Sequence, residues 1–237
     1  MKKLIVFVIF LVAIVMLLGG CGSVGHAATG PVVSRSFDVG DFTGVSIGGS
    51  REVIFRQSEN SLVTIEMQES LFDILQVYVR GGTLHVYTDG SVFNPGRQRV
   101  YIYAPQLEAA SISGSARATD WDIISVENFS LTASGSTNVS IALDVQSLNV
   151  TASGSSSVEL SGSADTVDIT RSGSGTISAF GLQTRNATVG RSGSSNVNIS
   201  VSDNLDATSS GSGRLQYRGN PSVAQTVSGS SSVVRVD

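Results

Sequence analysis

Short alternations of hydrophobic and polar residues recur along the first half of the chain and predict β-strands. Val45 and Ile47 alternate with polar neighbours, Glu52–Arg56 has the composition of a strand, and Leu62–Met67 alternates again. Alternation with a period of two is typical of strands that bury one face. Glu69–Leu75 departs from this period and predicts one or two turns of helix.

Three further strands are predicted around Gly81-Gly82, a pair suited to a two-residue hairpin turn. Their inward positions are apolar: Val77, Val79, Leu84, Val86, Val100 and Ile102. Their outward positions are aromatic: Tyr78, His85, Tyr87, Tyr101 and Tyr103. The hairpin would place Tyr78 directly opposite His85, and all five rings would share one face.

This predicted tyrosine-rich face is a candidate binding platform for a glycan or a protein partner. Tyrosine offers a large, rigid contact area with a polar tip. The alternative is that these tyrosines occupy strands because they favour them, and pack beneath a neighbouring loop.

A repeated Ser-Gly-Ser motif dominates the second half of the chain. Its central glycines are Gly114, Gly135, Gly154, Gly173, Gly193, Gly211 and Gly229, at steps of 18 to 21 residues. A period near twenty residues predicts stacked coils, each pairing with the coils above and below. Glycine permits a tight corner with positive φ, and we expect the serine hydroxyls to hydrogen-bond up the stack.

These patterns predict an all-β fold: a single-stranded, right-handed β-helix-like stack of short strands with a repeat of ~19 residues. The alternative is an antiparallel β-sandwich. The predicted domain covers residues 34–237, with longer strands in 34–105 and Ser-Gly-Ser repeats in 106–237.

The N-terminus has the features of a bacterial lipoprotein signal. Met1-Lys2-Lys3 is basic, Leu4–Leu18 is apolar, and Leu18-Gly19-Gly20-Cys21 is similar to a lipobox. The interpretation is a signal peptide over 1–20, acylation of Cys21 with palmitate-like chains, and a tether over 21–33. The alternatives are an ordinary secretory signal cleaved near Ala27, or an uncleaved anchor.

Composition narrows the possible partners. The formal charge is −4, and the only lysines are Lys2 and Lys3. Nucleic-acid binding requires clustered cations, so a nucleic-acid partner is not expected. The expected partners are a bacterial membrane, through the lipid, and an extracellular glycan or protein.

No catalytic constellation is predicted, so we expect a protein that is not an enzyme and has no cofactor. A serine nucleophile needs an activating base, and only His26 and His85 are present. Asp120 and Asp122 flank the single tryptophan but are interpreted as solvated carboxylates rather than a metal site. Arg171 and Arg191, which each precede a Ser-Gly-Ser motif, are predicted to form a solvated rim, with a strip that contacts anions as the alternative.

The order of these motifs resembles a bacterial family, the head GIN domain family, described as a "putative autotransporter adhesin" and as a domain of unknown function. The resemblance runs from about Phe42 to about Tyr217, through Val53–Gln57, Gly81–Val86 and the Ser-Gly-Ser repeats. It implies a β-helix-like domain in secreted or lipid-anchored envelope proteins. The predicted function is a lipid-anchored, non-enzymatic, adhesin-like protein of the cell envelope. The alternative is a glycan-binding or carbohydrate-active module that uses the tyrosine-rich face.

Overall fold

The computed structural model describes residues 25–237. The predicted signal peptide and Cys21 therefore lie outside the described residues. Strands account for 65% of the structure and helix for almost none, which confirms the all-β prediction. One 3-10 helix, Glu69–Ile74, lies where the sequence predicted a short helix.

Nineteen strands are present between residues 25 and 237. The first nine are β1 (His26–Ala27), β2 (Val32–Phe37), β3 (Gly44–Ile47), β4 (Glu52–Gln57), β5 (Leu62–Gln68), β6 (Leu75–Arg80), β7 (Thr83–Thr88), β8 (Val92–Phe93) and β9 (Arg99–Ala104). The next five are β10 (Ala109–Ile112), β11 (Arg117–Trp121), β12 (Ile124–Ala133), β13 (Asn138–Ala152) and β14 (Ser157–Arg171). The last five are β15 (Thr176–Arg191), β16 (Asn196–Ser209), β17 (Arg214–Arg218), β18 (Ser222–Val227) and β19 (Ser232–Arg235).

The strands of the second half stack in parallel, coil on coil. Strands β13 and β14 pair from Asn138↔Ser157 to Ala152↔Arg171, a constant offset of one repeat. The stack forms a β-solenoid of about 7 turns, as the repeats predicted, rather than a sandwich. Along β13 the inward residues Val139 to Val145 and Leu148 to Ala152 are buried at alternate positions, and together the coils enclose one narrow core.

The first half contributes two coils and a cap. Strands β3 and β4 form one coil, which pairs with β10 and β11 on one side and with β7 and β9 on the other. The coil formed by β7 and β9 follows the β3–β4 coil in sequence. It lies on the side of that coil that faces away from β10 and β11. Beyond it, β6 pairs antiparallel with β7, and β5 with β9 and β2. These antiparallel strands close this end of the solenoid.

The glycines form a continuous column along one edge of the solenoid, here called the glycine corner. It contains the seven predicted glycines and also Gly49 of the first half, and every member has positive φ. A Cβ added at Gly135 would lie 2.5 Å from the carbonyl oxygen of Gly114, and the same close approach recurs between neighbouring coils. The column therefore needs glycine both for its φ and for its spacing.

Backbone hydrogen bonds connect successive corners throughout, whereas the serine hydroxyls, which we expected to do so, join neighbouring coils at few corners, such as from Ser231 to the carbonyl of Ser209 at 3.0 Å. The N–H of Ser136 donates to the carbonyl of Gly114 at 2.8 Å, and the N–H of Ser155 donates to the carbonyl of Gly135 at 2.8 Å. The hydroxyl of Ser156 instead donates to the carbonyl of Ser153 in its own corner, at 3.0 Å. The main contribution of the serines at the corner is therefore that their small side chains fit the narrow space there.

The predicted arginine rim is wrong, because the arginines at the corner are buried. Arg171 is 1% exposed and Arg191 is 3% exposed, and Arg51 on the first coil is 2% exposed. Each guanidinium turns inward and donates to backbone carbonyls of the corners. The five donors of arginine can satisfy several carbonyls at once, which explains a charge at an inward position.

The distribution of strand lengths is the reverse of the prediction. Strands in residues 34–105 have at most 7 residues, whereas β13 to β16 have 14 to 16. Hydrogen bonding to the neighbouring coil continues through the second bend of each coil, so two predicted short strands become one. The range predicted as a tether contains β1, which pairs with β8, and the start of β2.

The two ends of the solenoid differ. At the N-terminal end, Leu71 and Phe72 of the 3-10 helix are buried, and the ring of Phe72 stacks on Phe37 at 6.5 Å. At the C-terminal end, β18 pairs only with β16 and β19 only with β17 within residues 25–237. Over the same range, no helix has the length and apolarity needed to cross a membrane.

Candidate binding surfaces

Three of the five predicted site residues form a compact group, here called the aromatic cluster: Tyr78, His85 and Tyr87. Gly81-Gly82 is the predicted hairpin turn, and Tyr78 lies opposite His85 across the pair β6–β7. Their rings stack at 5.0 Å between centroids, and Tyr87 meets Tyr78 edge-on at 6.2 Å. Tyr78 is 37% exposed and Tyr87 is 39% exposed, so the cluster offers aromatic surface to solvent.

Tyr101 and Tyr103 lie apart from the aromatic cluster. They belong to β9, which lies between β4 and β5, whereas β7 lies between β3 and β6. The chain turns between β7 and β9, so the two strands are successive parts of one coil rather than neighbours in one face. The structure therefore does not bring all five residues together.

Tyr101 instead belongs to a polar network. Its hydroxyl donates to Glu66 at 3.4 Å and accepts from Arg99 at 3.4 Å. Arg99 also donates to Glu52 at 2.9 Å, and this hydrogen bond is the main cause that lowers the pKa of Glu52. The network joins β4, β5 and β9 near the capped end.

The carboxylates beside the tryptophan also have structural partners. Arg56 is 2.7 Å from Asp120 and 3.8 Å from Asp122. Trp121 donates its indole N–H to the carbonyl of Val53 at 2.9 Å. Between residues 25 and 237, no group of three or more His, Cys, Asp or Glu side chains is arranged to hold a metal ion.

A second surface was not predicted: a groove that runs along the solenoid axis, here called the axial groove. It has a volume of about 970 Å³ and crosses six coils, each of which contributes three consecutive residues. The triplets are Ser125–Glu127, Asp144–Gln146, Ser163–Asp165, Gln183–Arg185, Ser200–Ser202 and Arg218–Asn220. Five strand spacings of about 4.8 Å make the groove roughly 24 Å long.

Each triplet has a small or β-branched residue between two outer residues, which are polar in every triplet. The middle residues are Val126, Val145, Ala164, Thr184, Val201 and Gly219, of which the first five are register partners in successive coils. One wall is the row Ser125, Asp144, Ser163, Gln183, Ser200 and Arg218, also in register. The opposite wall is Glu127, Gln146, Asp165, Arg185, Ser202 and Asn220.

Charge is distributed unevenly along the axial groove. The carboxylates of Glu127, Asp144 and Asp165 lie in the first three coils, and the guanidiniums of Arg185 and Arg218 lie in the last three. The groove therefore has an acidic half and a basic half.

Several groove side chains are held in place by contacts within the protein. Ser163 donates to Asp144 at 2.8 Å, and Arg185 donates to Asp203 at 3.2 Å. The guanidinium of Arg218 lies 4.2 Å from the ring centroid of Phe180. Such contacts reduce the rotamer freedom that a ligand would otherwise have to remove on binding.

The groove follows a signal that was present in the sequence. Its triplets recur with the same period as the glycines, about half a coil later. No residue type is shared by all six triplets, so only the alternation of polar and small residues marks them. A search for identical residues finds the glycine corner and misses the groove.

Sequence comparison identifies the family. A family model described as "Putative auto-transporter adhesin, head GIN domain" matches residues 41–221. The chain belongs to the head GIN domain family. This confirms the resemblance inferred from the strand motifs and the Ser-Gly-Ser repeats. No curated protein matches the chain.

Solved structures share the fold at low sequence identity. A protein from Bacteroides fragilis described as a "putative adhesin" is 23% identical, with a TM-score of 0.84 over 90% of this chain and 100% of that one. A "putative lipid binding protein" from Parabacteroides distasonis is 24% identical, with a TM-score of 0.72 over 89% and 99% of the two chains. A "putative adhesin" from Parabacteroides merdae is 22% identical, with a TM-score of 0.69 over 89% and 98%.

Proposed function

We propose that this protein is a non-enzymatic, adhesin-like binding protein, held by lipid at Cys21 on the surface of a bacterial cell. The observation that carries the proposal is membership of the head GIN domain family over residues 41–221. The architecture supports it, because the solenoid exposes long, ordered rows of polar side chains on a rigid frame. The lipobox-like Leu18–Cys21 supports the anchor.

The anchor is tested by the intact mass of the protein extracted from membranes, beside a Cys21→Ala variant. The expected mass corresponds to cleavage before Cys21 plus acyl chains, and the variant is expected to lack both changes. A mass that corresponds to an unacylated protein beginning near Ala28 would instead indicate a released protein, and would contradict the lipid anchor.

The binding role is tested by adhesion of cells in which the gene is deleted and then restored. Restoration with the wild-type protein is expected to recover adhesion to a glycan-coated or protein-coated surface. Restoration with Cys21→Ala is expected to fail although the protein is made. Equal adhesion of the deleted and restored strains would contradict the adhesin-like role.

The second candidate is glycan binding at the aromatic cluster. The stack of Tyr78 on His85, with Tyr87 edge-on, presents an exposed aromatic surface of the kind on which a sugar ring can pack. Tyr101 and Tyr103 are not part of this surface. This candidate, unlike a glycan site elsewhere on the solenoid, predicts that a Tyr78→Ala/Tyr87→Ala variant loses retention on an immobilised polysaccharide, and unchanged retention would remove it.

A further inference from the structure

The axial groove has the dimensions of a site for an extended polymer rather than a compact ligand. It crosses six coils, and each of them contributes residues to both walls. Hydrogen-bonding side chains line both walls at every coil, so they repeat at the strand spacing of about 4.8 Å. A pyranose unit of a linear polysaccharide is similar in length to this spacing.

The groove is poorly suited to an extended peptide. Peptides that join a β-sheet pair with the free N–H and C=O groups of an edge strand. Strands β13 to β16, which form most of the groove, are paired on both sides. Over these four coils the groove therefore offers side chains but no free strand edge, and within residues 25–237 only its end segments, Ser125–Glu127 and Arg218–Asn220, lack a paired strand on their outer side.

The side chains match a ligand that is rich in hydroxyl or amide groups. Serine, glutamine and asparagine can both donate and accept hydrogen bonds, and the carboxylates accept while the arginines donate. A polyanion would meet Glu127, Asp144 and Asp165 in half of the groove, which is unfavourable for it. A neutral chain avoids this repulsion and can use both halves.

We propose that the axial groove binds a linear, uncharged glycan, lying along the solenoid axis with one sugar unit per coil. This inference rests on the proposed binding role and gives it a site and a ligand class. The contacts described above hold three of the five charged side chains of the groove, Asp144, Arg185 and Arg218, in place before a ligand binds.

The test uses purified protein and two neutral hexasaccharides as probes, cellohexaose and hexa-N-acetylchitohexaose, with hexagalacturonate as the anionic comparator. Binding of each hexasaccharide is measured by isothermal titration calorimetry. Gln183→Trp fills the middle of the groove, and Asp144→Ala/Arg185→Ala removes groups from both halves. Thr226→Trp, at an exposed, outward-facing position of β18 whose register partner is Thr208, is the control for a bulky substitution.

At least one neutral hexasaccharide is expected to bind the wild type more tightly than hexagalacturonate does. Gln183→Trp and Asp144→Ala/Arg185→Ala are each expected to weaken binding about tenfold or more, which corresponds to the loss of one or two hydrogen bonds. Thr226→Trp and Tyr78→Ala/Tyr87→Ala are expected to bind as the wild type does.

Each other result overturns the inference in a distinct way. Binding that survives Gln183→Trp, or that is lost only in Tyr78→Ala/Tyr87→Ala, places the glycan outside the groove but leaves the adhesin-like role intact. Preference for hexagalacturonate contradicts the uncharged class. No binding of either neutral probe rejects the glycan site, whereas failure of the adhesin-like role is decided separately by the cell-adhesion experiment.

Discussion

The glycine corner and the axial groove occupy two bends of the same coils, yet they place opposite demands on side chains. At the corner, successive backbones approach so closely that a Cβ at Gly135 would lie 2.5 Å from a carbonyl oxygen. At the groove, the outer residues of each triplet point away from the core and vary from serine to arginine. One bend is therefore constrained by stability, and the other is free to be selected for binding.

The largest effect is expected at the glycine corner. Gly135→Ala should destabilise the protein by more than ~3 kcal/mol, because it combines an unfavourable positive φ with overlap against Gly114. Gly40→Ala is the matched control, because Gly40 has a φ of +74° but no atom within 4 Å of the added Cβ.

We expect a loss of only about 1–2 kcal/mol in this control, the cost of the left-handed backbone alone. Urea unfolding of both variants measures the difference. Equal losses would mean that contact between coils does not constrain the corner.

Substitution of a buried arginine tests the same difference between the glycine corner and the axial groove, now with a charged side chain. Arg171 donates to the carbonyls of Gly154 and Ser156 at 3.1 and 3.2 Å, and to the hydroxyl of Ser156 at 3.1 Å. Burial lowers its pKa. Arg171→Ala should cost ~2–4 kcal/mol, because it leaves corner carbonyls unsatisfied and opens a cavity.

Arg185 in the groove provides the control for Arg171. Its side chain is 66% exposed and pairs with Asp203, so Arg185→Ala should change stability by less than ~1 kcal/mol. The unfolding midpoints of the two variants are compared in the same buffer. A larger loss for Arg185→Ala would reverse the distinction between the two bends.

The smallest effect is expected on the pH dependence of protein stability, through Asp203, which pairs with Arg185 of the groove. Hydrogen bonds from Ser202 and then from Arg185 lower the pKa of Asp203 below its ordinary value of 3.8. A lowered folded-state pKa gives stability that is present above the ordinary pKa and is lost as the pH falls through the lowered value.

Asp203→Asn should therefore reduce, slightly, the difference in unfolding midpoint between pH 7 and about pH 3. The measurement is urea unfolding at both pH values, with the wild type alongside. A variant that becomes more acid-sensitive than the wild type would contradict this assignment.

The features of the fold that depend on repeated identical residues, above all the glycine corner, could be predicted from the sequence. The glycines from Gly114 to Gly229 recur because backbone spacing permits no other residue, so the period is visible without a structure. Gly49 belongs to the same column but was not recognised, because the cap and an inserted coil separate it from Gly114 in the chain. Its corner also begins with Gly48 in place of the usual serine.

Features that depend on which strands become neighbours in the fold could not be predicted from the local pattern of residues. The alternation correctly placed Tyr78 opposite His85, because a two-residue hairpin determines that register. It could not place Tyr101 and Tyr103, because period two says which face of a strand is outward but not which strands are neighbours. The inward turn of Arg171 was missed for a related reason, since a charge at an inward position is stable only with the carbonyls that the fold brings to it.

The one-sided pairing of β18 and β19 has a mechanical consequence. A load applied to the C-terminal end of the described chain would peel these strands away in turn, because each peeling step breaks only the hydrogen bonds at one front. A polymer lying in the groove would instead distribute its pull over six coils at once. The same solenoid would then yield to tension on β18 and β19 while resisting shear along its side.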